Sequence, residues 1–297
     1  MSASGTEGLH EKAKGLDTMV PGEILSLLSS GQQQAAQSVD ATHDAIAAAS
    51  TLAADAIAAG RKLVYAGAGS SGLMAMADAL ELPGTYGIAR EQIAILFAGG
   101  ASNVSDMPGA PEDDADQARK DAEAVIGAGD CVLAISASGS TPHALAVAAV
   151  ARERGAKVVA VANNANATLF DISDVAILLL TPPEFVSGST RMGAGTAQKI
   201  ALNMFSTLMA IRLGHVHDGY MVNLRADNKK LIERAARIVS GVTGVDINEA
   251  GRLVEKASGS VKIAILLAAG AKTKDSAETM LAESGHNVRR ALQLISG

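Results

Sequence analysis

Two glutamates and three hydroxyl-rich turns are the parts of this sequence best suited to chemistry. Gly67-Ala68-Gly69-Ser70-Ser71-Gly72 follows the apolar run Leu63-Val64-Tyr65-Ala66 and leads into a helix-forming stretch. That order describes a strand, a tight turn and a helix N-terminus, where free backbone N–H groups and the helix dipole favour an anion such as phosphate. Ser136-Ala137-Ser138-Gly139-Ser140-Thr141-Pro142 repeats the pattern, with Thr141 placed as N-cap and Pro142 at the first helical position. A third turn, Glu184-Phe185-Val186-Ser187-Gly188-Ser189-Thr190-Arg191, precedes a helical run over 192–213. Each turn has an ordinary reading as a Ser/Thr cap. Three of them, each after a strand, are better explained by a phosphorylated ligand held by Ser70, Ser71, Ser138, Ser140, Thr141, Ser187, Ser189 and Thr190.

Carboxylates held near a phosphate site can move protons. Glu81 ends the helical stretch that the first turn opens, just before Pro83-Gly84-Thr85. Glu112 lies in Gly109-Ala110-Pro111-Glu112-Asp113-Asp114, in the long connection after the second apolar run. Each also has a plain reading: Glu81 as a helix-end surface residue, Glu112 as an acidic cap favoured by a helix dipole. Gly67, Gly69 and Gly72 spell a dinucleotide-binding GxGxxG. The next apolar run, Ile93-Ala94-Ile95-Leu96-Phe97, ends in Ala98-Gly99-Gly100 and lacks the acidic residue that would grip a ribose, which argues against hydride chemistry. His215, Val216, His217 and Asp218 raise a metal site, since HxH on a strand puts both rings on one side. No further ligand cluster completes it in the sequence, so a surface loop is preferred, with no metal and no cofactor expected.

The elements that must position these residues alternate. Strands are expected over 63–66, 93–97, 131–136, 158–161 and 175–180, and helices over 71–82, 113–126 and 142–154, with a short turn around 167–170. Such alternation implies a doubly wound α/β fold, in which ligands bind beyond the carboxyl ends of parallel strands. Residues 1–20 read as a loosely ordered arm, followed by helical sequence from Pro21 to Gly60. After Gly214 several short helical patterns, separated by Thr243-Gly244, Ser258-Gly259, Thr273 and Gly285, read as a small helical domain bridged by 227–240. The expected organisation is an N-terminal arm and helices (1–52), a ligand-binding domain (53–216) and a C-terminal helical region (217–297).

Composition narrows the function classes. The chain of 297 residues is 48% hydrophobic but only 2% aromatic, so its core must be built from Ala, Val, Ile and Leu. A net charge of -6 without a basic run argues against nucleic acid. The polar N-terminus lacks the apolar core of a signal peptide, and no apolar run reaches membrane-spanning length. The single Cys131 lies in an apolar run and reads as a buried small hydrophobe. A cytoplasmic protein is the plain expectation.

The motifs together resemble one family. Gly67-Ala68-Gly69-Ser70-Ser71-Gly72 with Asp78-Ala79-Leu80-Glu81 is similar to the opening motif of N-acetylmuramic acid 6-phosphate etherases. Ala137-Ser138-Gly139 with Thr141-Pro142 resembles their second motif. Gly188-Ser189-Thr190-Arg191-Met192, Ala194-Gly195-Thr196-Ala197-Gln198-Lys199 and Leu202-Asn203-Met204 resemble their longest one. The resemblance extends from about residue 16 through the C-terminal helices. It implies a sugar isomerase (SIS) domain, a five-stranded parallel sheet between helices, in a homodimer. The implied reaction cleaves the lactyl ether of N-acetylmuramic acid 6-phosphate to N-acetylglucosamine 6-phosphate and D-lactate, in cell-wall recycling. The family's proton-donating glutamate falls on Glu81 and its second active-site glutamate on Glu112.

The chain also departs from the family pattern. Leu73, Ser140 and Gly193 stand where the resemblance leads one to expect Arg, Arg and Lys, and Leu82 and Gly84 where it leads one to expect Cys and Pro. Cations and charge-assisted hydrogen bonds hold phosphate and carboxylate. Their loss keeps open two alternatives: another SIS isomerase or lyase with an altered sugar phosphate, or a non-catalytic sugar-phosphate sensor. Retention of both glutamates speaks against the sensor.

Overall fold

In the computed structural model, which describes residues 5–224 and 229–296, the alternating runs form a parallel sheet between helices. In chain order the first part comprises α1 (Pro21–Gln37), α2 (His43–Ala58), β1 (Leu63–Gly67), α3 (Gly69–Tyr86), β2 (Ile93–Phe97), α4 (Ala110–Asp113), α5 (Ala115–Val125), β3 (Cys131–Ile135), α6 (Pro142–Glu153), β4 (Lys157–Ala162), α7 (Thr168–Asp171), β5 (Val175–Leu178) and α8 (Gly193–Arg212). The five strands pair in the order β2-β1-β3-β4-β5, all parallel, with Gly67 beside Phe97 and Ile135 at the carboxyl edge. Helices cover both faces, which is why β1 and β3 are continuously apolar rather than alternating. One face packs Val64, Ala66, Val132, Ala134, Val158 and Ala160 against residues of α5 and α6 such as Ala122, Val147 and Ala151. Small side chains on both sides permit this close helix-on-sheet approach. Cys131 is buried in β3, and burial pushes its thiol up to about 12, as befits a small hydrophobe.

The chain divides into two compact units, one of Met1–Leu80 with Arg90–Ser206 and one of Glu81–Ala89 with Thr207–Gly297. The second unit contains a hairpin of β6 (Val216–His217) and β7 (Tyr220–Met221), then α9 (Lys229–Thr243), α10 (Ile247–Lys256), α11 (Val261–Ala268), α12 (Lys274–Glu283) and α13 (Val288–Ser296). Its own core includes Val239, Val254, Val261, Ile265, Leu266 and Leu281. The helix starts follow the expected breaks. Asp246 accepts from Asn248 N (2.8 Å), Ser260 caps α11, and Thr273 with Ser276 forms a capping box. Asp227, the expected start of the bridging helix, lies outside the described residues.

Four local expectations are corrected. Residues 5–18 are not a loose arm. They contain 3-10 turns at Gly5–Glu7 and Leu16–Thr18, and Thr6 is buried. Helix α3 does not stop at Leu82 but runs through Pro83 to Tyr86, whose carbonyl accepts from Asn223 Nδ2 (3.0 Å), a tie that secures the last turn. The expected helix over 113–126 is two helices broken at Asp114, whose side chain caps α5 through Gln117 N (2.9 Å). The His215–His217 stretch is not a surface loop: His217 is buried in the hairpin and His215 half-buried.

Candidate active site

The turn from β1 to α3 is built from close backbone approaches. A side chain at Gly72 would put its Cβ 2.7 Å from the Phe97 ring and 2.8 Å from the Gly67 carbonyl, so the helix start can sit on the strand end only without one. Gly69 takes a left-handed φ of 51°, and a Cβ there would lie 2.7 Å from Glu112 Oε1. The Glu112 carboxylate therefore rests directly over the first turn. Gly72 N donates to Ala68 O (2.9 Å), whereas the N–H groups of Ser70 and Ser71 find no acceptor among the described residues. These donors and the dipole of the long helix α3 make an open anion cradle.

Glu112 lies on the short helix α4, which starts at Ala110 with Pro111 in its first turn on the connection beyond β2. The side chain is half-buried. Burial, and secondarily the charge of Asp113, push its carboxyl above the ordinary glutamate range. A raised carboxyl beside free helix N–H donors suits proton transfer.

The second turn holds its hydroxyls in a chain. Ser136 Oγ lies 2.7 Å from Thr141 Oγ1 and 3.2 Å from Ser138 Oγ, and it accepts from Gly139 N (3.0 Å). Ser138 Oγ accepts from both Ser140 N (3.2 Å) and Ser140 Oγ (3.1 Å). Thr141 is the N-cap of α6 as expected, but its side chain makes no cap bond, being turned to Ser136 instead. The Thr141 side chain thus leaves the start of α6 uncapped.

The third turn differs. Glu184, buried, accepts from Gly193 N (3.0 Å) through Oε2 and from Ala194 N (2.9 Å) through Oε1. Gly195 N and Thr196 N donate to Thr190 O (2.8 Å) and Met192 O (2.9 Å). All four N-terminal donors of α8 are thus satisfied by the protein itself. Ser187 is exposed and donates to Glu7 O (3.1 Å); Ser189 and Thr190 are half-buried, and Arg191 is exposed.

Some organising residues were not singled out by the sequence reading. Asp78, buried on α3, accepts from Tyr65 Oη (2.7 Å), Asn203 Nδ2 (3.0 Å) and Ser206 Oγ (3.0 Å), which locks β1, α3 and α8 together. Burial raises its carboxyl, although these three hydrogen bonds oppose the shift. The fully buried Tyr65 phenol is pushed well up by burial and by the Asp78 charge. Buried Gln198 donates to Asn163 Oδ1 (2.9 Å), tying α8 to the end of β4. Asp78, Gln198 and Asn203 lie inside motifs that look like site residues, and only the tertiary contacts show that they hold the frame.

Glu81 is exposed, one helical turn after Asp78 on α3, and belongs to the second unit. Ser70, Ser71, Ser138, Ser140, Thr141, Ser187, Ser189, Thr190 and Glu112 all belong to the first. In the second unit, burial lowers His215 to about 3, and its Nδ1 has no partner among the described residues. Among those residues no group of three His, Cys, Asp or Glu is arranged to hold a metal ion, and no helix is long and apolar enough to cross a membrane.

Three comparisons bear on this geometry. A SIS domain model matches residues 28–163. The N-acetylmuramic acid 6-phosphate etherase of Deinococcus radiodurans is 39% identical over 283 residues, covering 95% of this chain and 93% of that protein. The one from Symbiobacterium thermophilum is 41% identical over 261 residues, covering 88% and 87%. Among solved structures, a candidate phosphosugar isomerase involved in capsule formation from Bacteroides fragilis matches with a TM-score of 0.52 at 23% identity. The match covers 67% of this chain and 94% of that one, and the shared feature is the fold.

Proposed function

This chain belongs to the N-acetylmuramic acid 6-phosphate etherase family, and from that premise we propose that it cleaves the D-lactyl ether of N-acetylmuramic acid 6-phosphate. The products are N-acetylglucosamine 6-phosphate and D-lactate. A base removes the C2 proton beside the open-chain sugar carbonyl, an acid protonates the departing lactate oxygen at C3, and water adds across the resulting double bond. The sum is substrate plus water to two products, with no change of oxidation state and no cofactor in the balance.

The observation that carries this reading is the Glu112 carboxylate resting on Gly69, over the unfilled N–H groups of Ser70 and Ser71. A carboxyl raised by burial beside free helix N–H donors supports a proton-transfer role for Glu112 at a phosphate-binding turn. We assign Glu112 as the base. Glu81 is assigned as the acid from the family correspondence. Ser70, Ser71, Ser138, Ser140, Thr141, Ser187, Ser189 and Thr190 are proposed to hold the sugar phosphate. Cytoplasmic amino-sugar catabolism in cell-wall recycling and a homodimer complete the proposal. The exposure of Leu25, Leu80, Leu180 and Val186 in the first unit supports association with a second copy.

One observation favours an altered substrate as a second reading. Leu73, Ser140 and Gly193 carry no charge, and a Cβ at Gly193 would already lie 3.2 Å from Glu184 Oε2 and 3.3 Å from Ala35 Cβ. Incubation with N-acetylmuramic acid 6-phosphate tests both. Release of D-lactate is expected. Binding of the sugar phosphate without release would favour the second reading.

A further inference from the structure

The residues before α1 converge on two of the hydroxyl turns. Thr6 N donates to Asn164 Oδ1 (3.1 Å), and Asn164 Nδ2 donates both to Thr6 Oγ1 (3.2 Å) and to Ser138 O (3.3 Å). Asn164 therefore ties Thr6 to the backbone of the second turn. One residue further on, Glu7 O accepts from Ser187 Oγ of the third turn (3.1 Å). A Cβ at Gly188 would lie 3.4 Å from the Glu7 carboxylate. The His10 ring then stacks on Phe185, with centroids 3.9 Å apart. Gly5 makes the approach possible: its φ is 78°, and a Cβ would fall 1.8 Å from Asn164 Oδ1. Thr6 is 3% exposed, low for a polar residue.

We propose that residues 5–10 form a strap that completes the wall of the sugar-phosphate site, with Thr6 as a positioning residue acting through Asn164 on Ser138. This rests on the reading of the hydroxyl turns as the sugar-phosphate site. The second and third turns come from different strand ends, and the strap is bonded to both. It fixes the spacing of their hydroxyls before ligand arrives, which lowers the ordering cost of binding. The Glu7 carboxylate stands beside Gly188 of the third turn, and Glu184, which precedes α8, holds the start of that helix.

The test uses the full chain, the Thr6→Val and Thr6→Ser variants, and a variant lacking residues 2–10. Binding of N-acetylglucosamine 6-phosphate is measured by calorimetry, turnover of N-acetylmuramic acid 6-phosphate by lactate release, and folding by circular dichroism. Deletion should weaken binding about tenfold or more, raising KM with kcat nearly unchanged, as expected for loss of uniform binding. Thr6→Val should weaken it about threefold, the scale of one neutral hydrogen bond, and Thr6→Ser should restore it. A folded deletion variant that binds as tightly as the full chain would overturn the strap, and so would equal affinities for the Val and Ser variants. Sugar-phosphate binding that weakens on deletion, in a protein releasing no lactate, would keep the strap and reject the etherase reading. No sugar-phosphate binding by the full chain would overturn the strap together with the site it completes.

Discussion

The turn that opens α3 and the turn that opens α8 look alike in sequence, Gly-Ser-Ser-Gly in one and Gly-Ser-Thr-Arg in the other, yet they are opposites in the structure. At α3 the N–H groups of Ser70 and Ser71 face no acceptor among the described residues, and a carboxylate stands over the turn without capping it. At α8 the carboxylate of Glu184 has moved in and accepts from both Gly193 and Ala194. A helix N-terminus always attracts an anion, so the question at each is whether the protein or a ligand supplies it. Here the protein fills one and leaves the other. The filled end anchors the start of α8, which carries Lys199, Asn203 and Ser206; the open end is where chemistry is expected.

The sharpest way to break this contrast is to remove the two carboxylates proposed for catalysis. Glu112→Gln should lower turnover by about a hundred- to ten-thousand-fold and abolish exchange of the C2 proton with deuterated solvent. Glu81→Gln should lose lactate release to a similar extent yet keep that exchange. Near-normal turnover in both would move the sensor reading ahead, and the reversed exchange pattern would swap the roles.

Next in size is Gly69→Ala. Its Cβ would displace the Glu112 carboxylate, and alanine at a φ of 51° is strained. A displacement of this kind should cost about a hundredfold in kcat while the fold survives. Kinetics alongside circular dichroism would check it, and unchanged kcat would mean that Glu112 does not act at this turn.

The filled end should respond in stability instead. Glu184→Ala orphans two buried N–H groups and should destabilise by about 2 kcal/mol in urea unfolding. It should also create an anion site: inorganic phosphate should raise the melting temperature of the variant more than that of the parent chain. Equal responses would show that the two helix ends do not differ as described.

The smallest effect concerns pH. Glu112 has its carboxyl raised by burial and by Asp113, and a base works deprotonated. The acid limb of kcat/KM should therefore lie above the ordinary glutamate range, with activity falling as pH drops through it. Asp113→Asn removes a raising charge and should shift the limb to lower pH, only slightly because Asp113 is exposed and solvent screens it. A limb that stays put would remove Asp113 from the account.

Much of this protein could be read from local chemistry. The strand over 93–97 was legible to the residue, and the other four within two residues at either end, because apolar runs between glycines and hydroxyls leave few other folds for the backbone. The breaks at 243–244, 258–259, 273 and 285 marked the C-terminal helices because caps and left-handed glycines are local events. The paired glutamates and hydroxyl turns were visible as residue types at suggestive spacing. Their relations were not. That Glu112 lies on Gly69, 43 positions earlier in the chain, that Thr6 reaches Asn164, and that Asp78 gathers Tyr65, Asn203 and Ser206 are contacts between segments distant in sequence. Even Glu184, only nine residues before Gly193, gave no sign of its role, since any acidic residue before a helix reads as a solvated charge until burial forces it to find donors. Sequence by itself determined which elements form and which residues have the chemistry, because propensity, patterning and capping act over a few residues. Only the tertiary structure decided which helix end stays open, because that depends on which side chain the packed chain brings to it.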